Sequence, residues 1–428
     1  MIATSTPPAP RFCHLHLHTE YSLLDGGNTI PRLLERVKEL GMDSVAVTDH
    51  GNLHAAVEFY TKAKTAGVKP VLGIEAYVAL GDRRERKKTG IADGGFHLVL
   101  LAENNHGWRN LLKLSSDAYI NGFYYKPRMD KETLATWSGG VIAINGHLGS
   151  SLAWHMTQFD RSGKQEHWDA GVAEARWHME HFPPNERGEP CFYIELQRHS
   201  VQEQHAINPH LIKLARELDV PLVCDNDAHF LGADDWDAHD SLCCISMGKI
   251  KADPNRLHYP RDLYVKSPQE MAAEFEDLPE TLENAASIAD RCNVELDFTA
   301  NHAPVVRIVS DFEDLPDTTE GALKLIRSFE CEHPRASTDW FKAFCAQFRL
   351  EPFDEENDTE TTEELKEQCD RALRLLSEAG AIWRYGDAEL DDEKRARLDR
   401  ELQVLFDKLI SAYFLIVWDF VDWARQRG

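Results

Sequence analysis

From residue 11 to about residue 230, short apolar runs alternate with amphipathic ones, and this constrains the fold more than any other feature of the chain. The apolar runs at 44–49 (SVAVTD), 69–79, 96–102, 141–145, 192–197 and 221–225 have strand length, and 11–16 is expected to be another strand. Helical spacing lies between them. It begins near Thr29, a cap residue with Pro31 in the first turn and Leu33, Leu34, Val37 and Leu40 on one face. It returns at 53–66, 108–120, 166–181 and 202–218. Strand–helix–strand repeated about seven times, with strands apolar throughout, predicts an α/β fold on a parallel sheet covered on both faces. That many units suffice to close a barrel; an open doubly wound sheet satisfies the same spacing.

Histidine adds chemistry to this frame. The 428-residue chain has 20 histidines, and 16 of them lie at or before His229. The composition is 43% hydrophobic and 28% charged, which excludes wholesale disorder. Lys and Arg number 47 against 72 Asp and Glu, a net charge of −25. A uniformly basic nucleic-acid binder is excluded, although a local basic groove is not. No apolar run approaches the ~20 residues that span a bilayer, so no membrane partner is expected. The nine cysteines are scattered without a CxxC pair, which predicts reduced thiols and a cytoplasmic protein.

The histidines and acids recur where strands meet loops. His14-Leu-His16-Leu-His18 alternates, so its three imidazoles share one face of the expected first strand. Asp25 follows in a loop, and the next strands give Asp49-His50, Glu75, His97, His147, and Asp227 with His229. Ligands at the mouth of a parallel barrel converge on one point. Imidazoles and carboxylates suit zinc, manganese or iron. Nine such groups exceed the needs of one tetrahedral zinc and fit two or three metals sharing carboxylates. Such clusters clamp both oxygens of a phosphoryl transfer, so these residues point to a multinuclear metal phosphoesterase. Any one of these histidines alone is equally an ordinary core residue.

Other residues carry weaker readings. Asp49 either orients a ligand or caps the following helix. Glu195, Gln197 and His199 alternate along a strand and line the mouth or face solvent. Arg83, Arg84, Arg86, Lys87 and Lys88 form a basic loop, either solvated or facing phosphates. Tyr124, Tyr125, Lys126 and Arg128 (YYKPR) combine rings with cations, which suits DNA contact by Lys126 and Arg128 but also an ordinary surface loop.

Beyond residue 270 the character changes. Helical spacing at 278–292 reads as a connection, and 301–364, rich in acids, reads as a solvated insertion or linker. Helices are expected at 365–379 and 391–409, followed by the apolar segment AYFLIVWDFVDW.

The segments RFCHLHLHTEYSLLDGG, SVAVTDHGNLHAAVEFY, GFYYKPRMD, FYIELQRHS and AYFLIVWDFVDWARQRG together resemble the opening of the alpha subunit of bacterial DNA polymerase III. The resemblance implies a PHP-type distorted (β/α)7 barrel followed by a mainly helical start of the polymerase palm region. It implies a metal-binding barrel at 11–275, a helical connection at 276–300 and the start of the palm at 365–428; residues 1–10 read as a short leader, and 301–364, which shows no likeness to the family, as an insertion. Carried over residue by residue, the family's metal positions fall on His16, His18, Asp25, His50, Glu75, His97, His147, Asp227 and His229. From the residues themselves, not the resemblance, Asp49, Gln197 and His199 are candidates for a supporting layer behind them. The site implied is of the 3′–5′ exonuclease or related phosphoesterase type.

In that family the palm aspartates that hold magnesium for polymerisation, and a Gly/Ser-rich phosphate cradle, follow the last of these segments. Neither appears here, so this chain is expected to be the front part of a longer subunit and not to polymerise DNA alone. The full subunit implies DNA primer-template and deoxynucleotides as substrates. It also implies a sliding clamp, a clamp loader and a separate proofreading subunit as partners. Two other readings compete: a free-standing phosphoesterase of the histidinol-phosphatase kind, and a structural metal module that docks other proteins. The tail at 365–428 argues against the first, and the full ligand set against the second.

Overall fold

The computed structural model describes the chain apart from residues 1–9, 24, 92–93, 257, 299–304, 354–358, 387–390 and 428. The leader expected at 1–10 therefore lies, except for Pro10, outside the described residues, as does part of the acidic run after Glu351. The chain divides into two compact units, Met1–Leu296 and Asp297–Gly428.

The strands of the first unit are β1 (Ser44–Val47), β2 (Lys69–Val78), β3 (Phe96–Ala102), β4 (Phe123–Tyr124), β5 (Lys126–Met129), β6 (Val141–Asn145), β7 (Phe192–Leu196) and β8 (Leu222–Cys224). The first half of β2 pairs with β1 and its far end with β5, both parallel, and β5 forms a hairpin with β4. On the other edge of β2 the sheet continues through β3, β6, β7 and β8. The sheet is mixed rather than parallel, because β3 runs antiparallel to both β2 and β6. No α-helix appears among the described residues between β2 and β3. A parallel return needs a crossover, and without one the chain comes back antiparallel.

The N-terminal segment closes the ring. Ala46 N–H donates to His14 O and Thr48 N–H to Leu17 O on one side; His18 N–H donates to Ala228 O and Ala228 N–H to His16 O on the other. With this segment the barrel has seven walls, as the resemblance implies. Residues 11–16 do not form the regular strand expected of them. The amides of Leu15 and His16 both donate to Asp225 Oδ2 instead of to a neighbouring backbone.

Helices α1 (Ile30–Glu39), α2 (Ala56–Ala66), α3 (Asn105–Ile120), α4 (Lys131–Thr136), α5 (Ser151–Ser162), α6 (Gln165–His181), α7 (Gln202–Leu218), α8 (Trp236–Met247), α9 (Pro268–Glu274) and α10 (Glu280–Arg291) complete the unit. Every residue of β1, β6, β7 and β8 is buried, which is why their apolar runs are continuous. Helix α5, absent from the sequence reading, mixes Trp, His, Thr and Asp in SLAWHMTQFDRS without a clean apolar stripe.

The second unit has an antiparallel pair, β9 (Val306–Ser310) and β10 (Phe348–Pro352). Its helices are α11 (Thr319–Ser328), α12 (Thr338–Cys345), α13 (Thr362–Tyr385), α14 (Asp392–Asp407) and α15 (Ser411–Arg427). The stretch at 301–364 is thus not a solvated linker: its described residues supply both strands, α11 and α12. Trp340, Phe341, Phe344 and Phe348 from this stretch are buried with Leu375 and Ile382 of α13. Their spacing is helical, but the acids around them mask it in any composition average. The apolar tail is helix α15, which buries Ala412 and Leu415 in this core and exposes Tyr413, Phe420 and Trp423.

Candidate metal centre

The nine residues singled out by the sequence come together at one mouth of the barrel. His16 and His18 lie on the closing segment, Asp25 in the turn after it, His50 just past β1 and Glu75 within β2. His147 follows β6, and Asp227 and His229 follow β8. His97 stands at the beginning of its strand rather than the end; β3 is reversed, so its start faces the same mouth.

Glu75 is at the middle. Its Oε1 is 2.9 Å from His97 Nδ1, 2.9 Å from His147 Nε2 and 3.4 Å from His16 Nε2. Its Oε2 meets His50 Nδ1 and lies 3.4 Å from His18 Nε2. Asp227 Oδ1 faces His18 Nε2 at 3.1 Å and His16 Nε2 at 3.3 Å. Asp25 reaches His50 Nε2 at 2.8 Å and His229 Nε2 at 3.8 Å. Asp227 holds a left-handed φ of 49°, a conformation rare for a side chain with Cβ and typical of strained functional positions. Gly149 makes room: a Cβ there would stand 3.0 Å from the His97 ring and 3.3 Å from that of His147.

Part of this donor set makes no hydrogen bond to protein. Ring nitrogens of His16, His18, His50, His147 and His229, with an oxygen each of Glu75 and Asp227, are buried without a hydrogen bond. One such orphan costs about 1–3 kcal/mol. Several of them aimed at one another form an arrangement that a shared cation relieves. Donor sets with all atoms within 4.8 Å include His18–His50–His229, His16–His18–Glu75 and His50–Glu75–His97. The residues therefore fit a divalent-metal centre.

The electrostatics divide the cluster: burial opposes charge on His16, His50 and His147, but the facing carboxylates outweigh it and raise all three, whereas His18 moves the other way. Burial opposes the Glu75 charge, but His50, His97 and His16 outweigh it and hold the carboxylate well below its ordinary pKa. Burial, reinforced by His50 and His229, pushes His18 down to about 3, keeping its imidazole neutral as ligation requires.

A second layer of contacts sets the ring orientations. Asp49 accepts from the Ser22 hydroxyl at 2.7 Å and from Thr19. With its proton given to Asp49, Ser22 Oγ accepts from His50 N–H at 3.1 Å and pairs with His18 Nδ1 at 3.0 Å. This fixes the proton of His18 on Nδ1 and leaves Nε2 for the centre. A second chain runs through β7: His199 Nε2 donates to Gln197 Oε1 at 2.8 Å, and Gln197 Nε2 donates to Glu195. Glu195 then faces His16 Nδ1 at 3.0 Å and His147 Nδ1 at 3.4 Å. Asp49, Gln197 and His199 all stand behind residues of this cluster, and Glu195 is more central than its sequence context suggests.

Other neighbours carried no recognised signal. Tyr259 Oη lies 3.3 Å from Asp25 Oδ2, His239 donates to Asp25 O, and Cys243 lies beside His239. His239 and Cys243 are four apart on α8, a spacing that places them on one face.

Two expected DNA contacts fare differently. Arg128 is 2% exposed; its guanidinium donates to the carbonyls of Gly122, Arg83 and Glu85, so it braces the fold and has no access to a phosphate. Lys126 is half-buried with Nζ 3.1 Å from Tyr77 Oη. In the basic loop, Arg83 is buried on Asp117 and Asp130, Arg84 pairs with Asp82, and Lys87 with Glu85.

Residues 14–199 match the model of the PHP domain, and residues 371–428 that of the bacterial DNA polymerase III alpha NTPase domain. The DNA polymerase III subunit alpha of Helicobacter pylori is 37% identical over 421 residues, 97% of this chain and 31% of its own. That of Thermus aquaticus is 36% identical over 433 residues, 98% of this chain and 34% of its own. That of Borreliella burgdorferi is 41% identical over 284 residues, 66% of this chain and 24% of its own. A solved amidohydrolase from Chromobacterium violaceum aligns at a TM-score of 0.30 and 15% identity, over 54% of this chain and 97% of that one. No helix among the described residues is long and apolar enough to cross a membrane. The chain spans about a third of the length of the curated relatives it matches, carries a PHP domain, and belongs to the family of bacterial DNA polymerase III alpha subunits.

Proposed function

We propose that the barrel is a multinuclear metal phosphoesterase of the 3′–5′ exonuclease type, within a replicative DNA polymerase subunit of the cytoplasm. The observation that carries this reading is the set of buried, unpartnered nitrogens and oxygens converging around Glu75. His16, His18, Asp25, His50, Glu75, His97, His147, Asp227 and His229 would hold two or three divalent ions of zinc, manganese or iron. Bound there, such ions supply a water activated at neutral pH and positive charge for the attacking and leaving oxygens of a phosphodiester. Glu75 and Asp227 each face several histidines, which suits carboxylates shared between ions. Glu195, steadied by Gln197 and His199, keeps the Nδ1 proton of His16 and turns its Nε2 inward. Asp49 does the same for His18 through Ser22. The full subunit would act on primer-template and deoxynucleotides with magnesium and work with a sliding clamp, a clamp loader and a proofreading subunit.

The test is cleavage of single-stranded and 3′-recessed DNA by the purified chain with manganese or zinc, beside His16→Ala plus Asp227→Ala. Cleavage lost in the double variant is expected. Full metal loading without cleavage of DNA or of small phosphate esters would overturn the catalytic reading in favour of a structural centre.

A further inference from the structure

The hairpin of β4 and β5 turns on a single residue, Tyr125, which is 78% exposed and has a left-handed φ of 63°. A tip of this kind is ordinarily glycine or asparagine; an aromatic there is strained. Such an outlier points towards function. Phe123, 47% exposed, and Tyr119, 40% exposed, stack on each other beside it with ring centroids 6.1 Å apart. Tyr124 packs edge-on against Tyr125 at 4.7 Å.

The hairpin is firmly held. The Arg128 guanidinium sits 5.3 Å from the Tyr124 ring while bonding three carbonyls. A Cβ on Gly122 would stand 1.9 Å from Arg128 O, so only glycine allows this closure. Next to the tip, Lys126 donates to Tyr77 Oη. The Tyr77 ring lies 4.9 Å from that of His97 and 6.3 Å from that of His50. A rigid aromatic surface with an adjacent cation is therefore one side chain away from the metal ligands.

We infer that this hairpin is a stacking platform for a single-stranded nucleic-acid end, with Tyr125 and Phe123 meeting bases and Lys126 a backbone phosphate. The inference rests on the phosphoesterase reading of the centre and names its substrate class. Ring faces accept any base, and only an unpaired strand offers bases free to stack.

The test is the affinity of the metal-loaded chain for fluorescent oligo-dT and oligo-rU, whose ratio distinguishes DNA from RNA as the source of the strand. Tyr125→Gly relieves the left-handed strain, so its melting temperature should hold or rise while affinity falls roughly tenfold. Phe123→Ala should lower affinity by a similar factor. Lys126→Gln should flatten the slope of log K against log salt by about 0.7. An oligonucleotide with abasic terminal residues should bind the natural chain roughly tenfold more weakly, and Tyr125→Gly no worse than the natural chain.

Unchanged affinity in Tyr125→Gly and Phe123→Ala, or equal affinity for the abasic strand, overturns the inference. Hydrolysis of a small diaryl phosphate by the unaltered chain reports separately on the centre. If the ester is cleaved while oligonucleotide binding ignores the hairpin, this inference fails alone. If neither ester nor DNA is cleaved, the phosphoesterase reading fails, whatever the hairpin binds.

Discussion

The two units bury very different things. The interior of the second is apolar and aromatic, with Trp340 and Phe344 stacked at 5.8 Å and Phe341 against Trp383 at 4.6 Å. The first has an apolar core of its own but also gathers buried imidazoles and carboxylates whose facing atoms lack hydrogen bonds. Apolar and aromatic packing dominates the second unit, whereas cations among the donors would add stability to the first.

That contrast sets out what to break. The largest expected loss is in the second unit: Phe344→Ala should cost it about 3–5 kcal/mol, read by denaturant unfolding, with metal content unchanged. A simultaneous loss of metal would end the separation between the units. Chelation should act on the first unit only, removing about 2.7 kcal/mol where free metal had stood a hundredfold above its Kd. Hydrogen exchange should then rise in β6, β7 and the closing segment while α12 and α13 stay protected. Gln197→Ala leaves all nine ligands in place, yet should weaken metal binding about tenfold in a competition titration by releasing Glu195 and so His16.

The smallest effect is a gain. Burial raises the pKa of Glu378 in α13, with Arg395 only partly opposing it. The unfolded chain ionises this group near 4.5 while the folded chain still holds the proton, so stability falls as pH rises through the folded pKa. Glu378→Gln should therefore stabilise the second unit at pH 7 and leave it unchanged at pH 4. Equal gains at both pH values would assign the effect to packing.

The same contrast shows which features could be read from sequence. Strands β3 and β6 and helix α7 match the expected spans residue for residue, because continuous apolar runs and helical spacing write their periods directly. The convergence of these residues was legible because HLHLH, TDH and DAH place chemistry beside strand ends. The direction of β3 was not, since an apolar run has the same period in either sense. Arg128 looked like a phosphate contact because composition cannot distinguish a solvated guanidinium from one capping three carbonyls. Ser22 and the chain from His199 to Glu195 act through side chains brought together by folding. The aromatic heart at 340–348 was hidden by acids that simply face outward.

The most direct test of the central claim is the number of metal ions bound per chain, measured by elemental analysis on the natural protein and on His16→Ala plus Asp227→Ala. Two or three ions in the natural chain, with most lost in the variant and the second unit's unfolding unchanged, is the predicted result. No bound metal, or the same number in both proteins, would contradict the account.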